Sequence, residues 1–181
     1  MTSRSRAILR WEITGAIFII VVGSALHFVF SWTGGWRPVA VIAAVNESIW
    51  EHLKLAFWPG LLWALLPREG LGLPLLERLA AKGFTLILTA VLIVTIFISY
   101  TAVLGHNLLI LDIGTFVLAV LIGQIVSAVL GIYGIPGSAL LMLGLSLVII
   151  QLTAYALLTY YPPDLWLFVD SRNGLRGIPP P

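Results

Sequence analysis

Apolar residues fall in five long blocks along this chain, separated by short links rich in Gly, Pro and polar residues. A membrane-spanning helix needs about 20 mostly apolar residues, because it rises ~1.5 Å per residue across ~30 Å of hydrocarbon. Five segments reach that length, at about 11–32, 47–66, 83–104, 108–132 and 137–160. The alternating ten-residue blocks of a membrane β-barrel are absent, and backbone groups in lipid must then pair within helices. The pattern predicts an all-α fold: a polytopic transmembrane helical bundle of five spans, forming a single membrane domain over residues 1–181. Arg4, Arg6 and Arg10 precede the first block like the start of a signal peptide. That block is longer than the ~7–15 apolar residues of a cleaved leader, and Ser24-Ala25-Leu26 is a poor cleavage site, so the first span is expected to be retained.

Two links carry patterns of their own. Residues 67–82 place Leu75, Leu76 and Leu79 at helical spacing opposite Glu77, Arg78 and Lys82, which predicts a short interfacial helix over about 74–82. Residues 33–46 carry Trp36-Arg37-Pro38 and then the apolar run VAVIAAV, too short to span. That run predicts a re-entrant or surface turn ending at Asn46, with Asn46 capping the second span and Glu47 in its first turn, at the positive end of the helix dipole. Pro59 denies the Leu55 carbonyl its helical donor, so a kink and a free acceptor are expected there.

Lys and Arg favour cytoplasmic span ends. One set of alternate ends holds Arg4, Arg6, Arg10, Arg68, Arg78 and Lys82, and the other holds Arg37, Arg172 and Arg176. This bias places the N-terminus in the cytoplasm and the C-terminus outside. Trp11, Trp32, Trp36, Trp58, Trp63 and Trp166 lie mostly at predicted span ends, as in an aromatic belt. Composition agrees with a membrane protein: 10% of residues are charged, against roughly a quarter in soluble domains, and mean hydropathy is +1.05. Cysteine is absent, which removes disulfides and thiolate chemistry. No basic run is interleaved with aromatics outside the spans, so nucleic acid is not an expected partner.

Depth sorts the few ionisable groups. His27 lies near the outer end of span one, Glu47, Glu51, His52 and Lys54 in the first turns of span two, and His106 and Asn107 in the tight link before span four. Asp112 is about one turn into span four, so all fall within roughly 12 Å of the outer boundary. The inner halves carry almost nothing ionisable beyond Glu12. A charge inside a bilayer costs about 2.5–3.5 kcal/mol, so such groups face a cavity or one another. Thr115, Ala119, Gly123, Ser127 and Gly131 recur every four residues, a stripe that admits a close neighbour and turns Asp112 inward. Gly15, Gly23, His27 and Ser31 repeat the logic on span one. In span two, Glu47, Glu51, Lys54 and Trp58 share a face, with Ser48 and His52 turned from it, and Glu51 and Lys54 are spaced to neutralise each other.

Three carboxylates and three imidazoles at one depth can be balanced by Lys54, by protons or by a divalent metal. The candidate metal ligands are His27, Glu47, Glu51, His52, His106 and Asp112, a donor set that suits zinc, iron or manganese. Asn46, Ser48, Lys54 and Asn107 complete the candidate ligand-binding set. Neither an HExxH nor an EF-hand spacing is present, and Ser48 near His52 lacks a third orienting group, so no enzyme activity is assigned.

Asn46-Glu47-Ser48-Ile49-Trp50-Glu51-His52-Leu53-Lys54, followed by Phe57-Trp58-Pro59, resembles the N-E-S-x-W-E-H-x-K motif of an uncharacterised family of small prokaryotic multi-pass membrane proteins. His27-Phe28 with Trp32 and Gly34, and the stretch from Gly105-His106-Asn107 to Asp112, are also similar to that family. So is the tail of Phe168, Asp170, Gly174 and Gly177-Ile178, although Ser171 and Arg176 stand where the family has Pro and Tyr. The resemblance implies a topology and a motif, not a reaction. Two functional readings follow from the residues. One is a membrane protein with a polar pocket in the outer leaflet for a metal, a proton or a small polar ligand. The other is a structural or assembly subunit packed against a membrane-protein partner or its own copies. Both place the chain in the lipid bilayer of a prokaryotic cell (cytoplasmic) membrane. Transport finds no support, since five spans form no even inverted repeat.

Overall fold

The computed structural model describes residues 1–67 and 73–179. Residues 68–72, which include Arg68 of the expected interfacial link, and Pro180 and Pro181 of the tail lie outside the described residues. Five helices follow one another: α1 (Ser3–Trp32), α2 (Ile49–Leu65), α3 (Leu75–Leu104), α4 (Leu109–Tyr133) and α5 (Ser138–Leu158). Short 3-10 turns occupy Arg37–Val41 and Trp166–Phe168. Among the described residues there is no strand, only an isolated bridge between Val169 and Arg176.

Helices α1, α3, α4 and α5 are long and apolar enough to cross a membrane. They turn large apolar side chains outward, Ile17, Val21, Val103, Ile125 and Ile149 among them, as a lipid-facing surface does. Helix α2 differs. Its 17 residues extend only ~25 Å, and eleven of them are buried, from Glu51 to Ala64. It is the most enclosed helix of the bundle, where the sequence pattern leads one to expect a fifth span.

Local signals set the ends. Thr2 caps α1 by accepting the Ser5 N–H at 3.1 Å, and Gly105 ends α3 in the left-handed conformation at φ +77°, which reverses the chain within four residues. Among the described residues no separate interfacial helix precedes α3. The helix runs unbroken from Leu75, because Ala80, Ala81, Lys82 and Gly83 are buried against neighbouring helices rather than laid on an interface.

Small residues allow the helices to close up. A Cβ on Gly83 would overlap the Gly144 carbonyl, and one on Gly144 would lie 2.5 Å from the Ala80 carbonyl oxygen, so α3 and α5 meet backbone to backbone. A Cβ on Gly23 would overlap the Leu55 carbonyl. That is the acceptor left without its helical donor by Pro59, and the bare Gly23 backbone packs over it. The stripe Thr115, Ala119, Gly123, Ser127 and Gly131 on α4 is buried, as its spacing leads one to expect. Trp63 leaves the expected aromatic belt: it is buried against Trp11 and Phe18, with ring centroids 4.6 and 5.2 Å away.

The α3–α5 contact gives a paired test. Gly83→Ala forces two backbones apart and should cost about 1–3 kcal/mol by overpacking. Gly114→Ala meets nothing within 4 Å and should gain up to about 1 kcal/mol from helix propensity. Thermal unfolding in detergent should show the first variant melting below the parent and the second at or above it.

Candidate functional site

The start of α2 is assembled by short-range hydrogen bonds. Ser48, not Asn46, caps the helix, its hydroxyl accepting the Glu51 N–H at 3.4 Å. Asn46 instead ties two segments: Oδ1 accepts the Ser48 N–H and Nδ2 donates to the Gly177 carbonyl, both at 2.8 Å. The helix starts later than expected because Ala43, Ala44, Val45 and Asn46 are buried in non-helical backbone. Glu47 therefore stands outside α2 and leaves the face shared by Glu51 and Lys54.

That displacement brings Glu47 to two imidazoles. His27 Nε2, on α1, lies 3.2 Å from His52 Nε2, and each ring nitrogen is 3.4 Å from Glu47 Oε2. His52 Nδ1 lies 2.8 Å from the Ser48 carbonyl. A carbonyl only accepts, so Nδ1 carries the proton and in the neutral ring Nε2 presents its lone pair to the triangle. Donor atoms bonded at ~2.0–2.1 Å to a tetrahedral ion are separated by about 3.3 Å, which is the edge length of this triangle. Among the described residues, these three form the group of His, Asp and Glu side chains close enough to share an ion. All three are about a quarter to a third exposed.

The other oxygen of Glu47 faces the C-terminal tail. Arg172 Nη2 is 3.2 Å from Glu47 Oε1, and Arg172 Nε is 3.7 Å from buried Asp170. A turn presents Arg172: Asp170 Oδ1 accepts the Arg172 N–H, Asp170 N–H donates to Leu175 O, and Gly174 N–H donates to Asp170 O. Hydrogen bonds from His27 and His52, in that order, hold the Glu47 carboxyl well below its usual range against the opposing effect of burial. Glu47 is thus an anion throughout the range in which imidazoles titrate.

The remaining candidates go elsewhere. Glu51 turns to the bundle interior, where Oε2 accepts from Lys54 at 2.6 Å and from the Val45 N–H at 3.1 Å, and Oε1 accepts the Thr159 hydroxyl at 3.0 Å. Lys54 also donates to Ala40 O at 2.7 Å and Thr159 Oγ1 at 2.9 Å. With every proton of the ammonium received and three donors already on the Glu51 carboxylate, this pair anchors the fold. Asp112 accepts from the Tyr100 hydroxyl and from Asn107 Nδ2 at 2.9 Å. It is near enough to interact with the charge of His52, yet does not join the triangle. His106 is exposed, with Nδ1 against the Leu104 carbonyl at 3.0 Å.

Several polar residues at work here carry no local signal. Arg172, Asp170 and Thr159 reach the site from the far end of the chain. A second buried network, towards the opposite end of the bundle, joins α1, α3 and α4: Lys82 donates to Glu12 at 3.0 Å and to Gln124 Oε1 at 2.6 Å, and Gln124 Nε2 donates to Glu12 Oε2 at 2.9 Å. Lys82, expected at a solvated boundary, is 1% exposed. The half of the bundle that holds Glu12 is therefore less apolar than expected.

A family model described as a family of unknown function (DUF6512) matches residues 1–178. No curated protein and no solved structure matches the chain.

Framework and triangle should respond differently to truncation. Lys54→Met leaves the enclosed Glu51 carboxylate uncompensated and should cost about 3–5 kcal/mol. His52→Ala removes a partly exposed ring and should cost under ~1 kcal/mol. Unfolding of both variants beside the parent, in one detergent, measures the contrast.

Proposed function

The chain belongs to the DUF6512 family of unknown function, and we propose that it is an integral membrane metalloprotein in which His27, Glu47 and His52 hold one divalent ion of the zinc class. The observation that carries this reading is the triangle: two Nε2 atoms and one carboxylate oxygen at separations of 3.2, 3.4 and 3.4 Å. Its surroundings support it. The Ser48 carbonyl holds the His52 tautomer that leaves Nε2 free to ligate, and Arg172 steadies the second carboxylate oxygen, the kind of outer contact that orients metal ligands. Three protein ligands leave a fourth position for water or a substrate atom, which distinguishes catalytic sites from closed structural ones. There a metal ion supplies Lewis-acid activation of water or of a carbonyl. The excess of Lys and Arg at the opposite span ends favours an extracytoplasmic triangle in a prokaryotic cell membrane.

Metal analysis tests the reading. Detergent-purified protein equilibrated with zinc and freed of excess should retain one equivalent, and His27→Ala, Glu47→Gln and His52→Ala should each retain little. Glu51→Gln should weaken folding without changing stoichiometry in the fraction that folds. A parent protein that retains no zinc, iron or manganese refutes the proposal and makes the triangle a proton-sharing anchor of the bundle.

The same preparation has a defined pH response. Glu47, held low, stays ionised as pH falls, so the imidazoles set the loss of metal. Zinc retention should decline on acidification as protons compete with the ion for the imidazole nitrogens, and before the ordinary carboxylate range is reached. Titration by equilibrium dialysis reads the midpoint.

A further inference from the structure

Helix α1 carries one outward arc along its length. Arg6, Arg10, Ile13, Ile17 and Val21 follow one another at steps of three and four, and at about 100° per residue they fall within roughly 80° of arc. All five are exposed, Ile13, Ile17 and Val21 by 53%, 60% and 62%. The arc closes on Phe28 and Trp32, stacked with ring centroids 5.9 Å apart. Depth gives each end a place. From Arg10 to Trp32 the helix rises about 33 Å, slightly more than the ~30 Å of hydrocarbon, and Arg6 lies about 6 Å beyond Arg10. With Trp32 at one boundary, Arg10 stands at the other and Arg6 in the headgroup layer, at the level of the lipid phosphates. The protein neutralises neither guanidinium: among the described residues no carboxylate pairs with Arg6 or Arg10. The nearest acid in sequence, Glu12, is 1% exposed and turned inward, where it accepts from Lys82 and Gln124.

We infer that this end of α1 binds an anionic phospholipid of the adjoining leaflet, its phosphate between Arg6 and Arg10 and an acyl chain along Ile13, Ile17 and Val21. Two side chains one turn apart on one face can both reach a phosphate, and the guanidinium fork suits its oxygens. The surface selects on charge. A phosphatidylcholine offers the same phosphate but brings a quaternary ammonium towards two cations that lack a counter-charge. An acidic soluble partner reaches the arginines and not the apolar arc that continues from them into the hydrocarbon. The site shares no residue with the His27–Glu47–His52 triangle and stands or falls without it.

The test titrates the full chain in a neutral detergent with a phosphatidylglycerol and a phosphatidylcholine of identical chains, and reads bound lipid by native mass spectrometry. Phosphatidylglycerol should bind about tenfold or more tightly than phosphatidylcholine. Arg6→Gln and Arg10→Gln should each weaken phosphatidylglycerol binding about fivefold, and together about thirtyfold. Phosphatidylcholine binding and the unfolding temperature should stay unchanged. Arg4 lies about 160° round the helix from Arg6, and Arg37 lies beyond the other end of α1. The Arg4→Gln/Arg37→Gln protein, equal in net charge to the Arg6→Gln/Arg10→Gln protein, should therefore bind like the parent. Glycerol 3-phosphate, which has the headgroup anion and no chains, should not displace the lipid. Equal affinity for the two lipids, equal loss in the two double variants, or displacement by glycerol 3-phosphate each overturns the inference.

Discussion

The enclosed ammonium of Lys54 organises the site end of this molecule. A buried cation is tolerable only when each of its protons is received. Here the receivers are Glu51 on α2, the Ala40 carbonyl of the 3-10 turn and Thr159 just past α5. Satisfying one charge therefore fixes three segments at once. Glu51 extends the hold, since its second role is to accept the Val45 N–H, in a stretch of irregular backbone that cannot be left unpaired inside a bundle. With Val45 and Asn46 tied down, the chain emerges at Glu47 in one place, and that place faces His27 and His52. The candidate ligand triangle is downstream of an ion pair that takes no part in it.

A similar device works at the other end. Glu12, Lys82 and Gln124 join α1, α3 and α4 through hydrogen bonds that run side chain to side chain. In hydrocarbon, apolar packing alone does little to distinguish one helix register from another, whereas a buried network of this kind is satisfied in few arrangements. Between the two polar layers the helices meet through small residues, Gly83 on Gly144 and Gly23 on the Leu55 carbonyl. Polar groups specify the arrangement, and glycines let the backbones come near enough to realise it. The short α2 fits within this frame because its polar start and its interrupted middle are both covered by protein.

Much of this was legible in the sequence where the governing physics is local. Apolar length alone locates α1, α3, α4 and α5, and the four-residue stripe on α4 correctly names its buried face. Depth gathers His27, Glu47 and His52 into one layer together with Glu51, Lys54, His106 and Asp112, and does not single out the three. The division of labour between Glu47 and Glu51 was not legible, since it depends on where α2 starts, and an extended buried turn moved that start past Glu47. Thr159 and Arg172 were missed for another reason: the Thr159–Glu51 bond spans 108 positions, and no short-range pattern announces it. Lys82 misled because boundary lysines ordinarily reach water, and only the continuous α3 draws this one inside.

Electrostatics at the triangle narrows what it can be. Two imidazole nitrogens 3.2 Å apart cannot both present bare lone pairs to each other. A positive centre must stand between them, with the Glu47 carboxylate 3.4 Å from both. A proton shared by His27 and His52 fills that role, and so does a divalent ion in the plane's vicinity. The two are mutually exclusive occupants of one seat, because a nitrogen that carries a proton cannot ligate. The Ser48 carbonyl, by claiming the Nδ1 proton of His52, keeps that ring's other nitrogen open to either occupant. Arg172 then matters through charge: it is shared by Glu47 and Asp170, so with neutral imidazoles the three groups carry one net negative charge, and a divalent ion would leave them one net positive charge. In the proposed metal site such a charge would favour an anionic oxygen beside the three candidate ligands, which ties their geometry to the chemistry an open position would perform.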